Sequence, residues 1–255
     1  KTIADLRWSN LHLVGHSQPI RARLSLAELR PHLHSLPEHP DWIPYRSSVY
    51  RPDWGFCLPH RLLSALVPGE YEVVIDLTLS DGSLSYGEVI LPGESTDEVL
   101  LSSHVCHPSL CNDNLSGIAL LSLLGRYLAG ITHRFTYRLL FAPVTIGAIC
   151  WLARNESALG RIRHGLVVTL VGDSGPITYK RSRRGDAPID RAFAHVLAQR
   201  GPHEIRDFEP LGYDERQFCS PGFDLAVGSL TRTPHAQYPE YHTSADDLSL
   251  IGPSA

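Results

Sequence analysis

Two histidines, two thiols and a carboxylate fall within ten residues of this chain: His104, Cys106, His107, Cys111 and Asp113, in the run from Ser102 to Gly117. An apolar, strand-like segment (Val99, Leu100, Leu101) leads into the run, and a helical apolar pattern (Ile118, Leu121, Leu124, Leu128) leads out. Imidazole and carboxylate are the donor types that zinc takes, and strand ends in α/β sheets hold such groups in fixed places. Two further groups stand near expected ends of sheet elements. Asp173 follows the apolar run Leu166–Val171, and His242 lies in Glu240-Tyr241-His242-Thr243-Ser244-Ala245-Asp246-Asp247-Leu248. Two His and two Asp from separate strand ends suit one zinc, or two zincs bridged by Asp113. Each residue also has a plainer reading. His104 and His107 fit packing or helix capping, Asp113 and Asn114 both favour an N-cap, Asp173 fits a turn, and His242 fits a helix start. Cys106 and Cys111 are soft-ligand candidates, but with no CxxC partner the expectation is buried small hydrophobes.

The elements that must position these groups are legible from residue 96 onward. Strand Val99–Ser103 is followed by helix Asn114–Ala129, strand Thr136–Ala142 by helix Ile146–Asn155, and strand Gly165–Val171 by a helix near Pro188–Arg200. A last strand-like run, Leu225–Leu230, precedes the His242 motif. This alternation predicts a mostly parallel sheet with helices on both faces. Before it, Leu24–Leu36 reads as an amphipathic helix and Pro37–Pro59 as irregular, packed structure. Tyr71–Leu79 and Ser83–Leu91 read as a hairpin about Asp81-Gly82. The expected division is a β-rich accessory domain over 1–95 and an α/β domain over 96–255.

The 255 residues carry 20% charged and 43% hydrophobic side chains with a formal net charge of −4, which describes an ordinary globular protein with nothing in its charge that suggests nucleic-acid binding. The basic run Lys180-Arg181-Ser182-Arg183-Arg184 is either a solvated loop or a grip on an anionic substrate. No apolar run approaches the roughly 20 residues of a membrane span, and no signal-peptide pattern opens the chain. Met is absent throughout, so a piece of a longer protein is expected. Five cysteines of irregular spacing cannot all pair within one chain, and a reducing cytoplasm is expected. The aromatic stretch Trp42–Phe56 is a candidate surface for self-association.

The order HxCHPxxxxDNxSG (from His104), Gly172-Asp173 after a strand, then Tyr241-His242-Thr243-Ser244 resembles the M28-type zinc aminopeptidases. Trp42-Ile43-Pro44-Tyr45, Trp54-Gly55-Phe56-Cys57, Tyr86-Gly87-Glu88 and Tyr213-Asp214-Glu215-Arg216 make the likeness closer to the DUF4910 branch, aminopeptidase-like proteins of polysaccharide or secondary-metabolite biosynthesis clusters. The resemblance covers essentially the whole chain. It implies a three-layer αβα zinc-peptidase-like fold with a smaller β-rich N-terminal or inserted domain. It also implies relatives longer at both ends, with a leading helix and a winged-helix-like C-terminal extension. Carried across, Asp113 matches the metal-bridging aspartate, Asp173 the later carboxylate ligand and His242 the final histidine ligand. The first histidine ligand is matched by either of two residues: His104 aligns with the histidine of the HxD motif, with Cys106 in place of its aspartate, and His107 lies in the Cys-His-Pro triplet of the closer branch; if one binds metal, the other could stand behind it or touch substrate. One or two zinc ions are implied, with a small peptide or an aminoacyl or acyl compound as substrate.

One departure bears on activity. Typical M28 enzymes carry Glu-Glu where this chain reads Pro143-Val144-Thr145-Ile146-Gly147, and the closer branch reads Pro-Glu-Thr-Ile-Gly. Valine neither ligates metal nor accepts a proton, and a positioned general base contributes about 10²–10⁴-fold in rate. Glu215, Asp214 and His107 are the candidate substitutes. Asp214 or Glu215 could instead hold a substrate amine, and Arg232 could hold a substrate carboxylate or make a structural ion pair. Three functions remain open: an amide hydrolase, a catalytically weakened metal-binding module, and a deacylase of sugar or natural-product intermediates.

Overall fold

From Glu98 onward strand and helix largely alternate as the apolar periodicity predicts, in a computed structural model that describes residues 1–252; the strands over Ile177–Lys180 and His203–Arg206 and the short helix over Glu215–Phe218 were not expected, and the first of them follows another strand with no α-helix between. Contacts divide the chain into two units. The first comprises Lys1–Ser83, Pro108–Leu110 and Glu240–Asp247, and the second Leu84–His107, Cys111–Pro239 and the remainder from Leu248.

In the first unit, β1 (Ile20–Ser25) runs straight into α1 (Leu26–Leu29). The helix is one turn long. Ser25 caps it in a reciprocal box with Glu28, and Pro31 then turns the chain into a 3-10 segment, so the helix expected over Leu24–Leu36 does not form. β2 (Leu33–His34) pairs in parallel with β3 (Phe56–Cys57), α2 spans His60–Ser64, and β4 (Glu70–Ile75) pairs antiparallel with β1. Val73 and Ile75 are buried on β4. This pairing replaces the expected hairpin, because β4 ends at Ile75 and the residues up to Tyr86 carry no strand.

The second unit begins at Leu84 rather than at residue 96. The reason is β5 (Gly87–Leu91), which joins the large sheet by pairing antiparallel with β7 (Thr136–Ala142). Of the range 96–255, residues 253–255 lie outside the described residues. The other members are β6 (Glu98–His104), α3 (Gly117–Leu128), α4 (Ile146–Arg154), β8 (Ile162–Val168), β9 (Ile177–Lys180), α5 (Pro188–Leu197), β10 (His203–Arg206), α6 (Glu215–Phe218) and β11 (Val227–Thr231). Among the described residues they form a seven-stranded sheet in the order β10-β9-β11-β8-β6-β7-β5. Four of its six pairings are parallel, those of β10 with β9, β11 with β8, and β6 with both β7 and β8. The step from β6 to β7 and the return from β7 to β8 run in opposite directions across the sheet. Right-handed crossovers therefore put α3 and α4 on opposite faces, giving the αβα layering. Every residue of β6 is buried, as a central strand covered on both faces requires. Val99 and Leu101 join Leu121 and Leu128 of α3 in one core, and Trp151 of α4 meets Phe218 edge-on at 6.2 Å.

A buried charge network ties the start of β6 to its neighbours. Arg138 Nε donates to Glu98 Oε2 at 2.6 Å and its Nη1 to Glu88 Oε1 at 2.8 Å, while Arg161 Nε donates to Glu98 Oε1 at 2.9 Å. Burial alone would raise the Glu98 carboxyl, but the arginine hydrogen bonds outweigh it and hold the group below its ordinary range. Arg138→Met removes both contacts and leaves buried acceptors behind. We expect a loss of about 3–5 kcal/mol in urea unfolding; a loss under 1 kcal/mol would show the network to be dispensable.

Candidate metal centre

His104 is the last residue of β6, at the carboxyl end of the sheet, where α/β folds collect their functional groups. It pairs with Ala142 of β7, and on the other side Ser102 pairs with Val167 of β8. Its imidazole is 1% exposed. Nε2 lies 3.0 Å from Asp113 Oδ1, Nδ1 lies 3.5 Å from Thr169 Oγ1, and the Tyr213 ring stacks on it at 4.7 Å with planes 12° apart. His107 approaches the same carboxylate from the other oxygen, with Nε2 3.3 Å from Asp113 Oδ2.

The residues around Asp113 explain why the Asp-Asn-x-Ser-Gly spacing holds it there. Asn114 Nδ2 donates to Ser103 Oγ and to the His104 carbonyl, both at 2.9 Å, while its Oδ1 accepts from Leu170 N at 3.2 Å. One side chain thus ties the ends of β6 and β8. Ser116 Oγ donates to Asn112 O at 2.7 Å and accepts from Val171 N at 3.1 Å. At Gly117 a Cβ would stand 2.6 Å from the Val168 carbonyl and 2.7 Å from Ser103 Oγ, so only glycine lets α3 start this close to the sheet. The predicted helix over Asn114–Ala129 accordingly begins at Gly117, after an irregular turn over Cys111–Ser116 in which Asp113 and Asn114 have non-helical backbone angles.

Two ligands of a tetrahedral zinc, each about 2.0–2.2 Å from the ion, stand about 3.3 Å apart. The 3.0 and 3.3 Å separations fit that spacing, and each Asp113 oxygen meets a different histidine. The same distances also serve direct imidazole–carboxylate hydrogen bonds. Each histidine–carboxylate pair thus fits the spacing of two zinc ligands, and the convergent group of metal-type side chains among the described residues includes His107 and Asp113 but not His104.

Asp173 is differently engaged. Its Oδ2 accepts from Asn112 Nδ2 at 3.0 Å and from Thr233 N at 3.2 Å, and its Oδ1 from Gly175 N at 2.6 Å and from Thr233 Oγ1 at 2.9 Å. Four donors on one buried carboxylate describe a loop organiser. The residue past the end of β8 that faces His104 is Thr169, which the sequence reading did not single out. Its only signal was a lone hydroxyl interrupting the apolar run Val167–Val171.

Asp214 and Glu215 sit beside this group, next to Tyr213. Both are buried. Glu215 Oε1 is 2.6 Å from Lys180 Nζ and accepts from Tyr213 N at 3.2 Å. Among the described residues neither oxygen of Asp214 has a hydrogen-bond partner, and burial first, then the Glu215 charge, push its carboxyl up to about 8. Val144 is half-buried just past the end of β7, the strand paired with His104.

His242 belongs to the first unit, where Tyr45 N donates to its carbonyl at 2.8 Å and Tyr241 stacks on its ring at 4.0 Å. Ser244 N donates to Ile43 O at 2.8 Å, and Ile43 N to Ser244 Oγ at 3.0 Å. The Trp42–Tyr45 and Tyr241–Ser244 motifs are thus one structural feature. Cys106 is exposed and Cys111 half-buried, so neither is the core thiol expected. Arg232 donates to the Gly175 carbonyl at 2.9 Å. Beyond Lys180, the basic run makes surface ion pairs: Arg181 with Asp207, and Arg183 and Arg184 with Asp224. No helix among the described residues is long and apolar enough to cross a membrane.

A family model described as a domain of unknown function, DUF4910, matches residues 23–255. The chain is 48% identical over 250 residues to a Clostridium acetobutylicum protein named, provisionally, for polysaccharide biosynthesis and an aminopeptidase-like domain; the match covers 98% of this chain and 57% of that protein. A crystal structure from Clostridium acetobutylicum, provisionally called a peptidase, matches with a TM-score of 0.97 at 46% identity over 99% of this chain and 60% of the other. The chain therefore spans somewhat more than half the length of these relatives. A zinc aminopeptidase from Bacillus subtilis matches with a TM-score of 0.62 at 13% identity, over 86% of this chain and 58% of that one. At that identity the likeness establishes the aminopeptidase fold and nothing finer.

Proposed function

This chain belongs to the DUF4910 family, and from that premise we propose that it is a zinc-dependent, aminopeptidase-like hydrolase of an amide bond in a small peptide or an aminoacyl or acyl compound. The observation that carries the reading is Asp113, with its two oxygens turned to two different histidine Nε2 atoms at 3.0 and 3.3 Å. His104, His107 and Asp113 would hold one or two zinc ions together with His242, which is added on its motif. Asp173, the remaining carboxylate of the motif set, is assigned to organising the loop. Zinc there would lower the pKa of water and polarise the amide carbonyl. Asp214 takes the acid–base role that Val144 cannot, because its oxygens carry no hydrogen bond among the described residues and its carboxyl, raised to about 8, can in its ionised form accept the proton of water and, once protonated, pass it to the leaving amine. Glu215, committed to Lys180, supports it rather than exchanging protons itself. The five free cysteines support a reducing compartment, the cytoplasm.

Val144 favours a second reading, a weakened metalloprotein kept for binding. Metal content by elemental mass spectrometry, before and after zinc reconstitution, tests the first: one or two zincs per chain are expected, and none would sink it. Chelator-sensitive hydrolysis of aminoacyl amides then separates the two. If Asp214 acts as proposed, Val144→Glu raises kcat less than about tenfold; a gain of about 10²–10⁴-fold from an inactive parent would favour the second reading.

A further inference from the structure

We propose that the ion pair between half-buried Lys180 and buried Glu215 is a positioning device for His104, acting through the Tyr213 ring. The inference rests on the reading above that His104 is a metal ligand. Lys180 closes β9 and is the first residue of the basic run, yet it is turned inward. Its Nζ lies 2.6 Å from Glu215 Oε1 and also donates to the carbonyls of Leu211 and Glu209. An ammonium has three donors, and all three are used on the loop 209–215. Glu215 Oε1 in turn accepts from Tyr213 N.

Gly212 completes the arrangement. Its φ is +124°, and a Cβ there would stand 2.6 Å from Glu215 Oε1 and 3.0 Å from Lys180 Nζ. The loop closes over the ion pair only because that position is bare. Backbone and ring of Tyr213 are thereby both placed. The ring lies face-on to His104 at 4.7 Å and edge-on to His235 at 5.8 Å.

A stacked ring obstructs rotation of the imidazole about its Cβ–Cγ bond without engaging either nitrogen. Nε2 is thereby held toward Asp113. Outer partners of metal-binding histidines typically change metal affinity about 10–100-fold. Lys180 and Glu215 touch neither Asp113 nor His104 in any of these contacts, so they act as positioning residues.

The test uses the Lys180→Met/Glu215→Gln double variant, which removes both charges and strands neither. In the metal-free protein, NMR of the His104 ring protons reads the Tyr213 stack as an upfield ring-current shift. Zinc affinity, by competition with a chromophoric chelator, reads the consequence. The expected result is loss of the upfield shift and zinc binding weakened about 10–100-fold, with Lys180→Arg close to the parent in both. Unchanged His104 signals, with only a lower melting temperature, would overturn the proposal. Weaker zinc binding with unchanged His104 signals would overturn it too. A parent that binds no zinc, but whose His104 signals move in the variant, would defeat the zinc reading and leave the positioning role supported. Should the double variant not fold, Gly212→Ala displaces Glu215 with both charges present and is read by the same two signals.

Discussion

Asp113→Asn is expected to weaken zinc binding by at least about 100-fold, whereas Asp173→Asn leaves it within about threefold. The amide is nearly isosteric with the carboxylate, so packing is preserved. What changes is charge and acceptor capacity: one oxygen remains where two met His104 and His107 at 3.0 and 3.3 Å. The NH₂ that replaces the second oxygen turns a donor toward an imidazole nitrogen and cannot bind a cation. At Asp173 the four hydrogen-bond donors come from Asn112, Gly175 and Thr233. An amide there loses part of that set, at about 1–3 kcal/mol of stability, without touching the histidines. Chelator competition measures the first effect and urea unfolding the second. Parental zinc affinity in Asp113→Asn, or its collapse in Asp173→Asn, would reverse the assignment of the two aspartates.

Asp214→Asn should stabilise the protein at neutral and alkaline pH while lowering hydrolysis about 10²–10⁴-fold. In the unfolded chain this carboxyl ionises near pH 4, and in the folded chain near pH 8, because it is buried beside Glu215 without a hydrogen-bond partner among the described residues. Between those values the folded state keeps a proton that the unfolded state has released. Unfolding is therefore favoured as pH rises from about 4 to about 8, and the contribution levels off above that. Asparagine carries no such linkage. The variant and the parent should melt alike near pH 4, and the variant should melt higher at pH 8, by an amount on the order of a few kcal/mol. Thermal melts at the two pH values, with rates on an aminoacyl amide, test both halves. Identical pH dependence in the two proteins would remove the buried-acid assignment. An Asp214→Asn variant as active as the parent would remove its catalytic role. A group that destabilises the fold yet supports chemistry is a familiar exchange at active sites.

Much of the architecture follows from the sequence alone, because local periodicity reports burial. The apolar run Val99–Leu101 and the spacing of Leu121 and Leu128 can face only a sheet and a helix core, and both do. The Asp-Asn-x-Ser-Gly motif was legible for the same reason. Its near partners, His104, Ser103 and Asn112, lie within about a dozen residues in the chain, while its contacts to Leu170 and Val171 were not legible. Contacts across long loops were not legible. Ile43 meets Ser244 across 201 residues, and Asn112 meets Asp173 across 61. A strand-like pattern states that a segment will be paired but not with what. Tyr71–Ile75 paired with Ile20–Leu24, and Gly87–Leu91 with Tyr137–Phe141, where adjacency suggested a hairpin. An aspartate after a strand likewise has the same letters whether it binds a metal or gathers a loop. Only the tertiary structure decided that the donors around Asp173 satisfy its carboxylate, that Thr169 faces His104, and that Lys180 spends its charge on Glu215. Those outcomes depend on which polar group folding brings within hydrogen-bonding distance, and local sequence does not encode that distance.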